Sequence, residues 1–379
     1  MPETQLISED AIVKGHTEQI TVNMGPQHPS THGVLRLVLT LDGETVTSVD
    51  VVLGYLHRGV EKLCEEGTYT QNISLTDRLD YVASMTNNWA YVMAVEQLAG
   101  IEVPERAEYI RVVMAELQRI ASHCVALGTF AADLGTAFTP LMYMFRDREY
   151  ILDLFEMTCG ARLTYNYYRI GGVSADLPEE FIPKARELMR VMPGRIDEYE
   201  GLLTGNEILV ARTRNVGVLP AEMAINYSLA GPVLRGSGVP FDVRKAVPYG
   251  VYPRLAFQIP VGTRGDNFDR YIVRIHEMRQ SVRIVEQALD QLPAGKIANP
   301  VPLNFRPPVG EALSRIEGPR GEVGFYVVSD GSIAPYRCHE RPPSFVNLGV
   351  VQEVLVGCKV ADAVATLASL DTVMGEVDR

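Results

Sequence analysis

The chain has 379 residues, 46% hydrophobic and 22% charged, a composition typical of a folded protein too large for one small core. A formal net charge of −12 argues against a nucleic-acid surface, which needs a basic footprint. No apolar run reaches the roughly 18 residues of a membrane span, and the opening MPETQLISEDAIVKG lacks a charged-then-apolar leader. The expectation is a cytoplasmic protein, at most peripheral to a membrane.

Residues 18–24, EQITVNM, read as a short strand that runs into the polar loop NMGPQHPSTHG (23–33). Pro26 and Pro29 forbid a regular helix there, and Pro29 pushes His28 toward an extended conformation. In an extended chain, positions four apart lie on the order of 13 Å apart, too far for His28 and His32 to share one metal. VLRLVLTLDG then sets Leu35, Leu37, Leu39 and Leu41 against Val34, Arg36, Val38 and Thr40, a period of two. Asp42-Gly43 is a tight-turn signal and ETVTSVDVVLG the next strand. Residues 1–73 are therefore expected to form an antiparallel β module with the histidine loop at a hairpin tip.

From about residue 74 the period changes. LTDRLDYVASMTNNWAYVMAVEQLAG predicts a helix opened by Thr76 as N-cap and closed at Gly100. A second begins beside Pro104, with Ile110, Val113, Met114, Leu117, Ile120, Ala121, Cys124 and Leu127 at helical spacing. Further helices are expected near 140–159, 178–204 and 266–292. Residues 74–292 thus read as a helical bundle, interrupted at about 206–262 by irregular loops with short strands. In 293–379, PAGKIANPVPLNFRPP resembles a surface crossing, GEVGFYVVSDGS a late hairpin and KVADAVATLASLD a last short helix. The fold class is mainly α, with an α+β N-terminal part.

Self-contained catalysis has little support. Cys64, Cys124, Cys159, Cys338 and Cys358 are widely spaced, which disfavours a disulfide framework or a local zinc or iron–sulfur site. LRGSGV (234–239) lacks the third glycine of a dinucleotide fingerprint, and no Walker loop or Gly-x-Ser-x-Gly elbow occurs.

Seven strings carry more. MGPQHPSTHGVLRL, GYLHRGVEKL, DRLDY, RIGGV, SGVPFDVRKA, RGDNFDRY and LDTVMGEVDR, in this order from residue 24 to 379, resemble the D subunits of respiratory complex I, the proton-pumping NADH:quinone oxidoreductases. That family is related to the large subunit of nickel–iron hydrogenases, which implies a hydrogenase-like helical core. Hydrogenases hold their metals with two Cys-x-x-Cys pairs. Aligned on DRLDYVA and LDTVMGEVDR, those cysteines fall on Asp80, Ala83, Val373 and Glu376, with Arg379 where a histidine would close the motif. These residues cannot form a soft thiolate cage, which disfavours hydrogenase chemistry.

The resemblance assigns the vacated cavity to a quinone headgroup, with the C-terminal tail lining it. It implies His32 and Tyr81 as hydrogen-bonding headgroup ligands and Asp133 as the acid paired with His32. His28 braces the loop or borders the cavity, and Asp371, Val373 and Arg320 match pocket-lining positions. Read in isolation, Arg320 is a surface charge in the GPRGEV turn. Arg58 and Arg78 match arginines facing an iron–sulfur cluster held by the neighbouring B subunit, where a guanidinium would stabilise the added electron. Thr164 departs from the family, many members of which carry a histidine there, and threonine cannot titrate near neutral pH. The chain itself is expected to bind no cofactor. The implied partners are subunits B, C, I and H, at the cytoplasmic face of the membrane. Two other readings stay open: the equivalent subunit of a ferredoxin- or deazaflavin-dependent complex, and an inactive scaffold.

Overall fold

Alternating leucines build the first sheet. A computed structural model describes residues 19–379 except Ala137 and Leu303; residues 1–18, where the predicted β module begins, lie outside the described residues. Strands β1 (Gln19–Met24), β2 (Arg36–Asp42) and β3 (Thr45–Val52) pair antiparallel in that order. Leu35, Leu37, Leu39 and Leu41 all point inward and are buried, and the histidine loop joins β1 to β2 at the hairpin tip.

Helices α1 (Val60–Glu66) and α2 (Tyr69–Thr76) lead into α3 (Ser84–Ala99), α4 (Glu105–Asp133) and α5 (Thr139–Cys159). A two-residue hairpin, β4 (Tyr168–Arg169) with β5 (Gly172–Val173), precedes α6 (Phe181–Leu203). Short helices α7 (Glu207–Thr213), α8 (Ala221–Asn226), α9 (Gly231–Gly236) and α10 (Val243–Ala246) follow, then α11 (Asn267–Asp290). The antiparallel sheet β6 (Gly310–Gly318), β7 (Gly321–Ser329), β8 (Arg337–Arg341) comes next. Helices α12 (Pro343–Leu348), α13 (Val351–Leu355), α14 (Val360–Leu370) and α15 (Met374–Asp378) complete the order.

Helix α4 is buried on nearly every side, as a helix that is apolar around much of its circumference must be. It packs against α5 and α11, with α6 closing the bundle behind them, and α3 lies under β6 and β7. This bundle and the C-terminal sheet share one apolar core. A second core joins the N-terminal sheet to α8, α9 and the C-terminal helices. The predicted site residues gather where the two cores meet.

Three local expectations fail for identifiable reasons. Thr76 ends α2 rather than opening α3: its hydroxyl donates back to the Ile73 carbonyl and accepts from Asn88. The helix then breaks because Asp80 Oδ1 takes the Val82 and Ala83 amides, offering the backbone a turn instead. Within 206–262 the described residues form short helices, not strands. Asn206 caps α7, Asp242 caps the single turn of α10, and Pro232 sits in the first turn of α9. Finally, KVADAVATLASLD is not the last helix, since α15 follows it.

The bundle core also carries buried charge. Glu116, fully buried, accepts from Arg119, from Arg244 at 3.0 Å, and from the Tyr252 and Ser281 hydroxyls at 2.6 Å each. Against burial, which pushes it up, Arg119 and Arg244 hold this carboxyl down at about 2. Its contribution to stability is complete above the ordinary carboxyl value and is lost as pH falls from there toward about 2. Glu116→Ala should cost about 3–5 kcal/mol in urea unfolding at neutral pH, because buried Arg119 loses its carboxylate partner and Arg244 keeps only Asp242. The difference between variant and parent should shrink as pH drops below the ordinary carboxyl value.

Candidate functional site

The prolines shape the loop that carries the two histidines. Pro29 opens a single 3-10 turn, Pro29–Thr31, with His28 extended at its start and His32 left-handed at its end (φ 53°). The chain between the histidines is thus a turn, not an extended segment. His28 is exposed, and its Nδ1 accepts the Ser30 amide at 3.2 Å, a brace within the loop. Thr31 is buried and donates to both the His28 and Gly33 carbonyls, which fixes the tip. His32 turns the other way. Its Nε2 lies 2.7 Å from Asp133 Oδ2, at the end of α4, with both side chains mostly buried.

The Asp80 turn presents a second group. Tyr81 is half-buried, and burial raises its phenol above its ordinary value while Arg320 and Arg58 oppose the shift. Asp80 is buried beneath it, 2.6 Å from Arg320 Nη1. Arg320 is 2% exposed, so it is not a surface charge: the β6–β7 turn drives it into the junction between the cores. It also donates to Ser122 Oγ on α4, to the Asp371 carbonyl and to Asp371 Oδ1 at 3.1 Å. Asp371 closes α14 in a left-handed conformation, and its Oδ2 lies 4.0 Å from Arg274 Nε. Asp371 Oδ2, Thr372 Oγ1, and Nε and Nη2 of Arg274 are buried without a hydrogen-bond partner among the described residues.

Glu376 adds a third carboxyl. The Ser344 amide donates to it at 2.9 Å, and the Ser344 hydroxyl oxygen accepts the Val373 amide at 3.1 Å. Two guanidiniums, Arg320 and Arg274, thus face three buried carboxyls, and the set is neutral when one carboxyl keeps its proton. Burial, reinforced by Asp80 and opposed by Arg320, pushes Glu376 up to about 8, which favours its protonated form at neutral pH. Burial likewise pushes Asp80 upward in spite of Arg320.

The C-terminal tail ties these pieces together. A Cβ on Gly33, beside His32, would lie 2.9 Å from Met374 Cγ. A Cβ on Gly375 would lie 2.5 Å from the Leu79 carbonyl oxygen and 3.3 Å from Tyr81 Cδ1. Met374 and Gly375 therefore sit between the histidine loop and the Tyr81 turn. Buried Val373 precedes them. On the outer side, Arg58 donates to the Arg78 carbonyl at 2.7 Å and to the Gly375 carbonyl, while Arg78 donates to the Ser74 carbonyl. Both arginines are exposed, and among the described residues neither pairs with a carboxylate, so they are not a helix-surface salt bridge. Thr164 is left-handed (φ 51°), an uncommon state for a β-branched residue. Two residues on, Asn166 accepts from Arg169, and both lie beside Asp77, next to Arg78.

The structure thus brings together His32, Asp133, Tyr81, Val373, Asp371 and Arg320, with Arg58 and Arg78 on the adjoining surface and His28 at the rim. Asp80 and Glu376 entered the sequence reading only as residues unfit to hold metal. Their burial with Arg320 makes them part of the site, and the charge in the short tail LDTVMGEVDR was the available signal. Arg274 and Ser122 gave none. Among the described residues, no group of three or more His, Cys, Asp or Glu is arranged to hold a metal ion. What the arrangement offers is one histidine and one phenol as donors above a buried acid–guanidinium cluster. A groove of about 620 Å³ between α5 and α6 holds none of these residues.

The model of the family described as respiratory-chain NADH dehydrogenase, 49 Kd subunit, matches residues 133–303 and 299–379. The NADH-quinone oxidoreductase D subunit of Dehalococcoides mccartyi (strain 195) is 60% identical over 363 residues, covering 96% of this chain and 99% of that protein. The corresponding D subunits of Desulforamulus reducens and Clostridium beijerinckii are 58% and 55% identical over 362 and 364 residues, each covering 96% of this chain.

Gly375→Ala should lower unfolding stability by about 1–3 kcal/mol, since the new methyl meets backbone on the Asp80 turn that cannot yield cheaply. Gly201→Ala, where nothing lies within reach of the added atom, is the control and should be neutral or stabilising in the same urea titration.

Proposed function

Because the chain belongs to the 49 kDa subunit family of the respiratory-chain NADH dehydrogenases, and so is part of an oxidoreductase complex, we propose that it builds the site where that complex reduces quinone. The observation that carries this reading is the His32–Asp133 pair held across Met374 and Gly375 from Tyr81. A quinone has two carbonyl oxygens. One hydrogen-bonds to His32 and the other to the Tyr81 hydroxyl, so that both are polarised and each faces a group able to release a proton. Asp133 holds the imidazole by one nitrogen, leaving the other for substrate. The Tyr81 phenol keeps its proton until one is needed, because burial disfavours the phenolate. Val373 and Asp371 border the headgroup, and Arg320 fixes Asp80 and Asp371 beneath it.

An iron–sulfur cluster held by the neighbouring B subunit would supply the electrons. Arg58 and Arg78 suit its vicinity: they are exposed, adjacent and without carboxylate partners among the described residues, so their charge is available to a partner surface. The exposed rim at His28, Arg58 and Arg78 is closed by that neighbour, and subunits C, I and H complete the assembly. None of the helices in the described residues is long and apolar enough to cross a membrane. Within the complex the chain sits peripherally, on the cytoplasmic face.

Two outcomes test this. In membranes carrying Tyr81→Phe, NADH:quinone reduction should fall by about 10²-fold or more while NADH:ferricyanide reduction persists. Retention of both activities would remove Tyr81 from the site and leave a scaffold. At Thr164, the lack of a titratable group should give the adjacent cluster a midpoint potential with little pH dependence. Thr164→His should introduce a pH slope in a redox titration, and histidine tolerates the left-handed backbone better than threonine.

A further inference from the structure

We propose that Glu61, Glu340 and Glu376 form a proton-delivery path from solvent to the Asp80–Tyr81 turn, an inference that rests on the quinone-site reading above. Glu340 is the unexpected member. On β8 its side chain points inward with Cys338, between α1 and α15, and is 2% exposed. Neither of its carboxyl oxygens has a hydrogen-bond partner among the described residues, and the same holds for Oε2 of Glu376. Unpaired carboxyls cost too much to be left in a packed interior without a use or a water to satisfy them.

The backbone fixes the order of the path. The Glu340 amide donates to Glu61 Oε1 at 3.2 Å, and the Glu340 carbonyl accepts from Arg379 Nη1 at 3.3 Å. Arg379 lies three residues beyond Glu376, and Glu376 is anchored by Ser344, four residues beyond Glu340. Strand β8 and α15 are thus pinned to each other at both ends, with Glu340 and Glu376 between the pins. Glu61, on α1, reaches solvent with a side chain 22% exposed, beside Arg337 and His339.

The charges grade in the direction a proton would travel. Glu61 is held below its ordinary value, against burial, by the Glu340 amide, His339 and Arg379, so the entrance is anionic. Burial pushes Glu340 far upward, Glu376, Glu61 and Cys64 add to that, and Arg379 opposes it. Glu376, pushed up to about 8, faces Asp80 and Arg320. Burial thus favours the protonated form of both interior acids. When Glu376 releases its proton toward the Asp80–Tyr81 turn, its carboxylate takes one from Glu340, and Glu340 is reprotonated by a proton that bulk solvent delivers to the Glu61 carboxylate and that passes inward from there. Protons and charge balance at each step, and no electron moves along this path.

The test compares Glu340→Gln, Glu340→Asp, Glu61→Gln and Tyr81→Phe in membranes carrying the whole complex. Glu340→Gln keeps the shape and removes the exchangeable acid. Its kcat for quinone reduction should fall at least about tenfold, with a larger solvent deuterium isotope effect, while KM for quinone and NADH:ferricyanide reduction stay unchanged. Glu340→Asp should recover most of the rate. Glu61→Gln should lose rate mainly on the alkaline side, where protons are scarce at the entrance. A wild-type rate, pH profile and isotope effect in Glu340→Gln overturns the path, as does an equal loss in the Gln and Asp variants with an unchanged isotope effect. If Glu340→Gln fails to assemble, Glu61→Gln decides, and a wild-type pH profile there overturns the proposal. Loss in Tyr81→Phe without loss in Glu340→Gln removes the path and leaves the quinone site standing. Full activity in Tyr81→Phe removes the site itself.

Discussion

Arg320 is the interaction on which the site depends. Its guanidinium is shared by Asp80, 240 residues earlier, and Asp371, 51 residues later, and it also touches Ser122 on the central helix. Three segments far apart in the chain are held by one planar group with donors pointing in fixed directions, which a lysine could not reproduce. Such a buried set is weak evidence for net stability, because taking the charges out of water costs about as much as their attraction returns. Its value lies in placement. With Arg320 seated, the Asp80 turn, and hence Tyr81, has one position relative to the tail that meets the histidine loop.

The same physics sets the protonation of the surroundings. A low-dielectric junction tolerates near-neutral groups of charges and penalises any excess. Arg320 and Arg274 balance two carboxylates, and the third carboxyl, Glu376, keeps its proton. In the bundle core the balance is struck differently: Glu116 is surrounded by guanidiniums and hydroxyls and stays ionised. One cluster is structural and fully satisfied; the other has unpaired atoms on Asp371, Thr372, Arg274 and Glu376. Incomplete satisfaction is the mark of a site that expects water, substrate or protons, and it separates the two clusters more sharply than their charge does.

The sequence made regular elements readable wherever a short period decided burial. The leucines of β2 and the long stripe of α4 stand as read, whereas Pro29 opens a 3-10 turn where an extended chain was expected. It misled where a polar side chain competes with the backbone: Thr76 looks like an N-cap and acts as a last-turn donor, and Asp80 looks helical and forms a turn. Tertiary partners were legible only through family likeness. Nothing near Arg320 in the chain marks it as buried, because its partners come from distant segments, and Glu340 reads as one more charge in RCHER until β8 turns it inward.

Placement of the tail explains why a short terminal segment carries so much of the site. Asp378 accepts the Gly54 and Leu56 amides at 2.9 and 2.7 Å, and the Arg379 carbonyl accepts those of Arg58 and Val60. The last residues are thereby fastened to the strand-to-helix connection that carries Arg58, while Met374 and Gly375, one turn earlier, touch the histidine loop and Tyr81. A displacement of α15 would move the exposed arginines, the donors and the buried acids together. In the proposed function, electron entry, hydrogen bonding to substrate and proton supply would all depend on this one segment, held between the two neighbouring cores.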